Sequence, residues 1–421
     1  MKARYFFSIT RCIFFLAAHT VLATAPAHAA YTNYHSIMLG DRAGGMGGAF
    51  TALTDDPAAC AFYNPATLAR LEGSSLSTSV SLFNKYDVSY NEQEKLDDAI
   101  FRINKGSILS IPSASGIFSS FRSFTAGVSI VIPDYQTFGG NVFSSGNDTT
   151  FLRVDDQSLW VGGAFAFNIS EEQALGLTVY YTSQSYSRSL TNRYDAGAEI
   201  VVLNEEKTYT QNSFVYVLGY YQELTSNWNI GLSYRFRSIP VSGAGSYLQS
   251  EIGTVSGAQP LVQNYSLDAE SRVPDKLSAG LAFSKPRDLS VSFDLSYYGS
   301  SRYTDFEQYS DLLIKKDVLN VALGYEKYLK PWLALRLGLF TDLSSSPDVP
   351  ALPTRRYQDH IDKYGFSANF GIHTTDHTTV SLGGYYLGGS GHAAENIGAG
   401  FQRVDKTDRL FSFLVGSSYS F

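Results

Sequence analysis

The sequence predicts an all-β fold, a 14-stranded antiparallel transmembrane β-barrel with an N-terminal plug segment that contains short helices. Three observations predict it. Apolar and polar residues alternate with period two along repeated stretches of about ten residues, which marks strands with one apolar and one polar face. Charged residues make up 17% of the chain and aromatic residues 14%, with 29 Tyr and 28 Phe. A typical soluble domain carries roughly 25% charge, so the balance here favours strand formers over solvated helix faces. Beyond residue 30 no apolar run approaches the ~20 residues of a spanning helix.

The alternation is explicit. In "LSVSFDLSYY", Leu289, Val291, Phe293, Leu295 and Tyr297 oppose Ser290, Ser292, Asp294 and Ser296. In "WNIGLSYRFR", Trp228, Ile230, Leu232, Tyr234 and Phe236 oppose Asn229, Gly231, Ser233, Arg235 and Arg237. "LALRLGLF", "LWVGGAFAFNI" and "YGFSANFGI" behave alike. The second face carries Gly, Ser, Ala and isolated charges, as a crowded or wet lumen would. Strands of about ten residues cross a tilted bilayer span, and such a sheet must close, because an open edge leaves backbone groups unpaired in hydrocarbon.

Fourteen strands are expected, at 75–84, 107–117, 122–132, 157–169, 173–188, 210–223, 227–238, 275–284, 288–298, 316–328, 331–341, 363–373, 377–387 and 408–421. Short joins such as "SEE", "LTS", "KPR", "LK" and "TTD" alternate with segments of roughly fifteen to thirty-five residues, the pattern of short periplasmic turns and long outer loops. Both ends then fall on the periplasmic side. Some long loops are expected to hold strand extensions, "LVQNYSLDAE" among them.

The chain divides into a secretory leader (1–29), a plug (30–73) and the barrel (74–421). Lys2, Arg4 and Arg11 form a basic n-region, "CIFFLAAHTVLA" an apolar h-region, and Ala27 and Ala29 an A-x-A cleavage pattern, the layout of a secretory leader. The net charge of −7, more negative still without those three cations, disfavours nucleic acid as a partner. Past the leader Cys60 stands alone, so no intramolecular disulfide is expected. It reads as a small packed residue rather than a reactive thiol. The last strand, "LFSFLVGSSYSF", ends on Phe421 with Phe411, Phe413, Val415 and Tyr419 on one face. It resembles the signal that the barrel assembly machinery of bacterial outer membranes reads.

The plug centres on "GDRAGGMGGAFTALTDDPAACAFYNPATLARL", Gly40 to Leu71. Gly44, Gly45, Gly47 and Gly48 permit positive φ and close passage along a wall. Two helical turns are expected, one after Asp55 and Asp56 with Pro57 in first position, one capped by Asn64 with Pro65 in first position. A dinucleotide loop would need glycine where Phe50 stands, and no lysine follows for a phosphate loop.

No metal site, cofactor or catalytic residue is assigned. His373 and His377 flank a turn without Cys or acidic support, and His35 stands alone. His360 with Asp362, and Ser390 with His392 in "GGSGH", sit in loops without a nucleophile elbow. Arg235, Arg237 and Arg336 fall on the lumen face. They are expected to pair with a plug carboxylate such as Asp55 or Asp56, or to hold a substrate carboxylate. Asp294 and Glu326 lie on the same face as further partners.

The stretches Gly40, Arg42 to Ala52, Asp55 to Ala59 and Tyr63 to Ala69, in this order and spacing, resemble the FadL/TodX family of outer-membrane transporters of hydrophobic compounds. "VPDKLSAGLAFS" (Val273 to Ser284) is similar to the family's lead into a mid-barrel strand. The resemblance implies a barrel plugged by an N-terminal hatch that includes Asn64, Pro65 and Ala66. It implies passive transport of a hydrophobic small molecule, a long-chain fatty acid or an aromatic hydrocarbon, released sideways into outer-membrane lipid where a strand kinks inward. The glycine cluster would supply hinges. Pro112, inside the second strand, is the candidate for the interruption in the wall. Related branches imply the alternative, a structural or interaction barrel acting as a surface or secretion scaffold.

Overall fold

A computed structural model describes residues 32–90, 102–107, 111–145, 148–195, 200–253, 261–304, 312–355, 357–396 and 401–421. The leader lies outside the described residues. The barrel closes with fourteen antiparallel strands, in agreement with the alternation. They are β1 (Ser74–Tyr90), β2 (segments Arg102–Ser107 and Ile111–Ser120), β3 (Thr125–Ser145), β4 (Asp148–Asn168), β5 (Gln173–Asp195), β6 (Ile200–Glu223) and β7 (segments Trp228–Arg235 and Ile239–Gly253). After them come β8 (segments Leu261–Asp268 and Lys276–Lys285), β9 (Leu289–Tyr298), β10 (Val318–Lys330), β11 (Leu333–Asp342), β12 (His360–His373), β13 (Thr378–Asn396) and β14 (Phe401–Ser420). Each pairs with the next, and β14 returns to β1 from Ser75↔Ser420 to Tyr90↔Lys406. A hairpin, Ser301–Thr304 with Leu312–Lys315, stands between β9 and β10.

The two faces divide as the bilayer demands. On β9, Ser290, Ser292, Asp294 and Ser296 are buried toward the lumen, while Phe293, Leu295 and Tyr297 are exposed outward. The expected cores of the strands are present, but several run much further at their outer ends. β5 has 23 residues and β6 has 24. Their outer parts lie above the apolar band, so no lipid selects for alternation there and the periodicity fades. The extension expected in "LVQNYSLDAE" is the first segment of β8. The expected second strand, 107–117, is β2, present at Ser107 and over 111–117 among the described residues, with a register shift against β1 beside Pro112.

The plug lies inside the barrel. It holds α1 (Arg42–Gly45), α2 (Pro57–Tyr63) and a 3₁₀ helix (Pro65–Arg70). The two Pro-started turns are as expected; α1 is an addition. The main core forms between plug and wall: Phe50, Leu53, Cys60 and Tyr63 pack with Phe118, Trp160, Tyr180 and Val215 of the strands. Cys60 is a free, buried thiol, and burial pushes it up to about 12.

Candidate functional site: the hatch and the cavity beside it

Asp56 organises the hatch. Its Oδ1 accepts from the Ala59 N–H and caps α2, while Oδ2 accepts from the Arg42 and Ala43 N–H groups at 3.0 and 3.3 Å. One carboxylate thus satisfies the free donors of two helix starts. Asp55 instead is exposed at φ 70° and reaches Arg42 at 3.6 Å. Burial, with the Asp41 carboxylate second, pushes Asp56 up to about 7. In an unfolded chain it titrates near ~3.9, so the folded state binds this proton more tightly. The stability it confers is complete below pH ~4 and is lost as pH rises through about 7. In detergent, the melting temperature of the wild type is expected to fall a few °C further between pH 5 and 8 than that of Asp56→Asn. Parallel curves would exclude this role.

Gly47 and Gly48 take left-handed φ of 65° and 75°, and Gly47 lies against the backbone of Gly338 on β11. Gly44 and Gly45 are helical instead. They bring α1 against β12 and β13, where Ser367 and Asn369 donate to the Gly45 and Asp41 carbonyls at 2.9 Å.

Asn64 ties the turn to itself and to the wall. Its Oδ1 accepts from the Ala66 N–H, and its Nδ2 donates to the carbonyls of Thr51 (2.8 Å) and Tyr220 on β6 (3.0 Å). The Asn64-Pro65-Ala66 turn fits because the wall is stripped of side chains there. A Cβ at Gly176 would stand 2.3 Å from the Pro65 carbonyl carbon, one at Gly219 2.1 Å from Asn64 Oδ1, and one at Gly231 1.9 Å from the Thr51 oxygen. Gly176 faces Gly219 across β5–β6, and Gly231 faces Gly280 across β7–β8.

Opposite this contact a buried ion triad fixes the other side. Arg42 grips Glu326 with Nε (3.0 Å) and Nη2 (2.8 Å), and Arg336 Nε reaches the same carboxylate at 2.7 Å. This corrects the expected pairing. Arg336 is on the lumen face, but its partner is Glu326 of the neighbouring strand, not Asp55 or Asp56. The hatch contributes one cation, Arg42, and the wall contributes the carboxylate and the second cation, Arg336. Asp294 also serves the hatch, accepting from the Phe50 and Thr51 N–H groups at 2.9 and 2.8 Å.

Arg237 requires a second correction. The alternation slips at 236–238, where β7 is interrupted, so Phe236 and Arg237 are both exposed; Arg237 pairs with Asp275 at 3.1 Å beside outward-facing residues. Arg235 does face inward and is buried. Its guanidinium lies 5.6 Å from the Trp160 ring and 5.7 Å from that of Tyr298. Lys276 Nζ lies 5.3 Å from Tyr298 and 5.8 Å from Tyr63, and Lys315 Nζ lies 5.2 Å from Tyr34. Among the described residues, none of these three cations has a carboxylate at ion-pair distance; aromatic faces hold them instead. Arg235 and Lys315 border a cavity of about 50 Å³ with Phe62 of the hatch, Trp160 and Asp134, whose Oδ2 accepts from Ser158 at 3.1 Å. Above it a vestibule of about 140 Å³ mixes Val88, Leu152 and Ile361 with Arg188, Lys363 and Lys406.

Lys276 and Lys315 were not singled out from sequence. Lys276 shares its alternation face with Ser278, Gly280 and Ala282 and was findable. Lys315 lies in a loop hairpin and carries no such signal.

The β2–β3 ladder runs only from Ser120↔Thr125 to Ala114↔Val131 among the described residues. Beyond Val131, β3 pairs with β4, with a register shift between Val131 and Asp134, and it also contacts the Arg102–Ser107 segment of β2. On the other edge of β2, Pro112 faces Val80 at the shift after Ser79.

The histidines serve packing and local bonds. His35 donates its backbone N–H to Asp342, and His360 Nδ1 lies 2.7 Å from the Ser346 carbonyl. His373 sits between the hydroxyls of Tyr328 and Thr379, and the His377 ring lies tilted beside that of Tyr419 at 6.4 Å. His392 lies 3.0 Å from Asp348, while Ser390 bonds to Thr407.

Residues 20–387 match the family model described as outer membrane protein transport protein (OMPP1/FadL/TodX). The fold is similar to a Pseudomonas aeruginosa FadL homologue at 15% identity, covering 92% of this chain and 100% of that one with a TM-score of 0.72. It is also similar to the P. putida toluene transporter TodX (14% identity, 91% and 98% covered, TM-score 0.66). The Ralstonia pickettii toluene transporter TbuX aligns at 14% identity with 93% and 100% covered and a TM-score of 0.64. Among curated proteins no sequence relative matches the chain.

Proposed function

We propose, for a chain that belongs to the OMPP1/FadL/TodX family of outer membrane transport proteins, that its cargo is a long-chain fatty acid. The family is one of hydrophobic-compound transporters rather than enzymes. The observation that carries the finer reading is the set of three cations beside the hatch, Arg235, Lys276 and Lys315, that have no carboxylate at ion-pair distance among the described residues. A charge held away from water without a counter-ion is costly, and a ligand carboxylate relieves that cost through charge-assisted hydrogen bonds. An aromatic hydrocarbon, the cargo named for the similar toluene transporters, would leave these cations unanswered.

In this reading the acid passes from the vestibule to the cavity beside Phe62 and Trp160, with its carboxylate toward Arg235. The hatch turn Asn64-Pro65-Ala66 and the left-handed Gly47 and Gly48 are the elements that shift to admit it. Release runs sideways into outer-membrane lipid where the β2–β3 ladder stops near Pro112. Export uses the leader at 1–29, and the strand ending at Phe421, whose N–H donates to the Ser74 carbonyl at 2.8 Å, addresses the assembly machinery.

The test is uptake of labelled oleate and of labelled toluene into lipid vesicles that hold the purified protein. Oleate uptake is expected, and Arg235→Gln is expected to slow it about tenfold, the equivalent of one charge-assisted hydrogen bond, without changing toluene uptake. Equal uptake of oleate by both proteins would sink the fatty-acid assignment.

A further inference from the structure

The wall has a second irregularity, far from Pro112. The β7–β8 ladder is regular from Trp228↔Phe283 to Arg235↔Lys276 and again from Ala244↔Asp268 outward. Between these runs lie residues 236–243 of β7 and 269–275 of β8. Three hydrogen bonds bridge them in place of a ladder: Ser238 N–H to the Val273 carbonyl (3.0 Å), Val273 N–H to Ser238 Oγ (2.9 Å) and Ala269 N–H to the Gly243 carbonyl (3.4 Å). The β8 stretch dips into the lumen, and Val273 packs on the hatch core.

The two sides of this seam are both hollow. Inside, Arg235 and Ser271 to Pro274 line the cavity beside the hatch. Outside, residues next to them in the chain, Phe236, Arg237 and Asp275, line a groove with Leu218, Tyr234 and Ile239. That groove is apolar and faces the bilayer: Phe236 is 41% exposed and Ile239 54%. Phe236 stands eight residues above Trp228 on a tilted strand, roughly 20 Å from the periplasmic turn in a band ~25 Å tall. The groove therefore opens in the outer half of the membrane. Arg235 lines the inner space, and its chain neighbours Tyr234 and Phe236 line the outer one. The closing contacts are polar and few: Arg237 to Asp275 and to the Ser300 carbonyl (2.9 Å), and Arg235 to the Pro274 carbonyl (3.4 Å).

We propose that the β7–β8 seam is a lateral port between the outer leaflet and the lumen cavity, and that the outer groove seats the acyl chain of the cargo. The occupant follows from continuity, since the groove leads to the cations assigned above to the carboxylate. The inference rests on the transport reading. A chain lying in the groove reaches the cavity with its charged end toward Arg235, and Arg237 with Asp275 forms the polar latch at the mouth.

Cross-linking the seam tests it. Ser238→Cys with Val273→Cys places a disulfide across the port, and Leu339→Cys with Phe366→Cys places one across the regular β11–β12 ladder as a control. Oleate uptake into vesicles is measured before and after reduction. Oxidation is expected to slow uptake at least threefold in the first protein, with recovery on reduction, and to leave the control unchanged. Uptake by the first protein that is equal in both states, with the disulfide confirmed by mass, overturns the port while leaving the transport reading in place. Absence of uptake by the unmodified protein overturns the transport reading and the port together. A photoreactive oleate adds a readout independent of rate: labelling at Phe236 above that at outward-facing Leu323 supports the port, and equal labelling counts against it.

Discussion

Glu326→Ala is expected to free one side of the hatch. The substitution leaves Arg42 and Arg336 facing each other in a buried space without their shared carboxylate. Removing one member of a buried ion cluster costs about 3–5 kcal/mol, because the uncompensated charges must find water. The shortest route to water for Arg42 is to lift α1 off the wall. Cys60, buried in the helix α2 that Asp56 ties to α1, reports the motion. Its alkylation is expected to accelerate at least tenfold, with a lower melting temperature. Replacing all three residues by apolar ones of similar size is expected to restore slow alkylation, since such a swap removes the charges together with their partner. An unchanged rate in Glu326→Ala would show that the triad does not hold the hatch.

Gly231→Val carries a comparable effect by steric means. A Cβ there would stand 1.9 Å from the Thr51 carbonyl oxygen and 2.6 Å from its carbon. The obstacle is hatch backbone, which cannot rotate away as a flexible side chain does. Overpacking in a filled core costs about 1–3 kcal/mol and more where nothing yields. The expected outcome is a barrel that still migrates as a folded species in unheated gels but has a displaced hatch and a reactive Cys60. Gly163→Val is the control, because the nearest atoms to its Cβ lie 3.7 Å and 4.0 Å away. If both variants alkylate as the wild type does, the wall glycines are not what seats the hatch.

The legible part of this protein is the part on which a bilayer imposes a pattern. Phe293, Leu295 and Tyr297 had to alternate with Ser290, Asp294 and Ser296, and that alternation marked β9 without further help. The caps were legible for a local reason: Asp56 before Pro57 and Asn64 before Pro65 satisfy helix starts within a few residues. Partner choice was not legible. Arg336 meeting Glu326 rather than Asp55 depends on the path of the hatch, which no local pattern encodes. Arg237 was misplaced because one slip at 236–238 reverses what alternation says of the next side chain. α1 escaped notice because two of its four residues are glycine, poor helix formers; the Asp56 carboxylate fourteen positions on organises its first turn.

The seat of the hatch also bears on the order in which the molecule is made. The Asp41 carbonyl is held by Asn369, 328 positions away, and the Ser36 carbonyl by Tyr385, 349 positions away. Contacts of such separation are slow to form, because the intervening loop must close first. The residues that emerge early therefore have no home until β12 and β13 exist. The segment must wait beside a growing sheet, and the β1–β14 seam must shut with it already inside. Assembly of this barrel is a race between closure and docking.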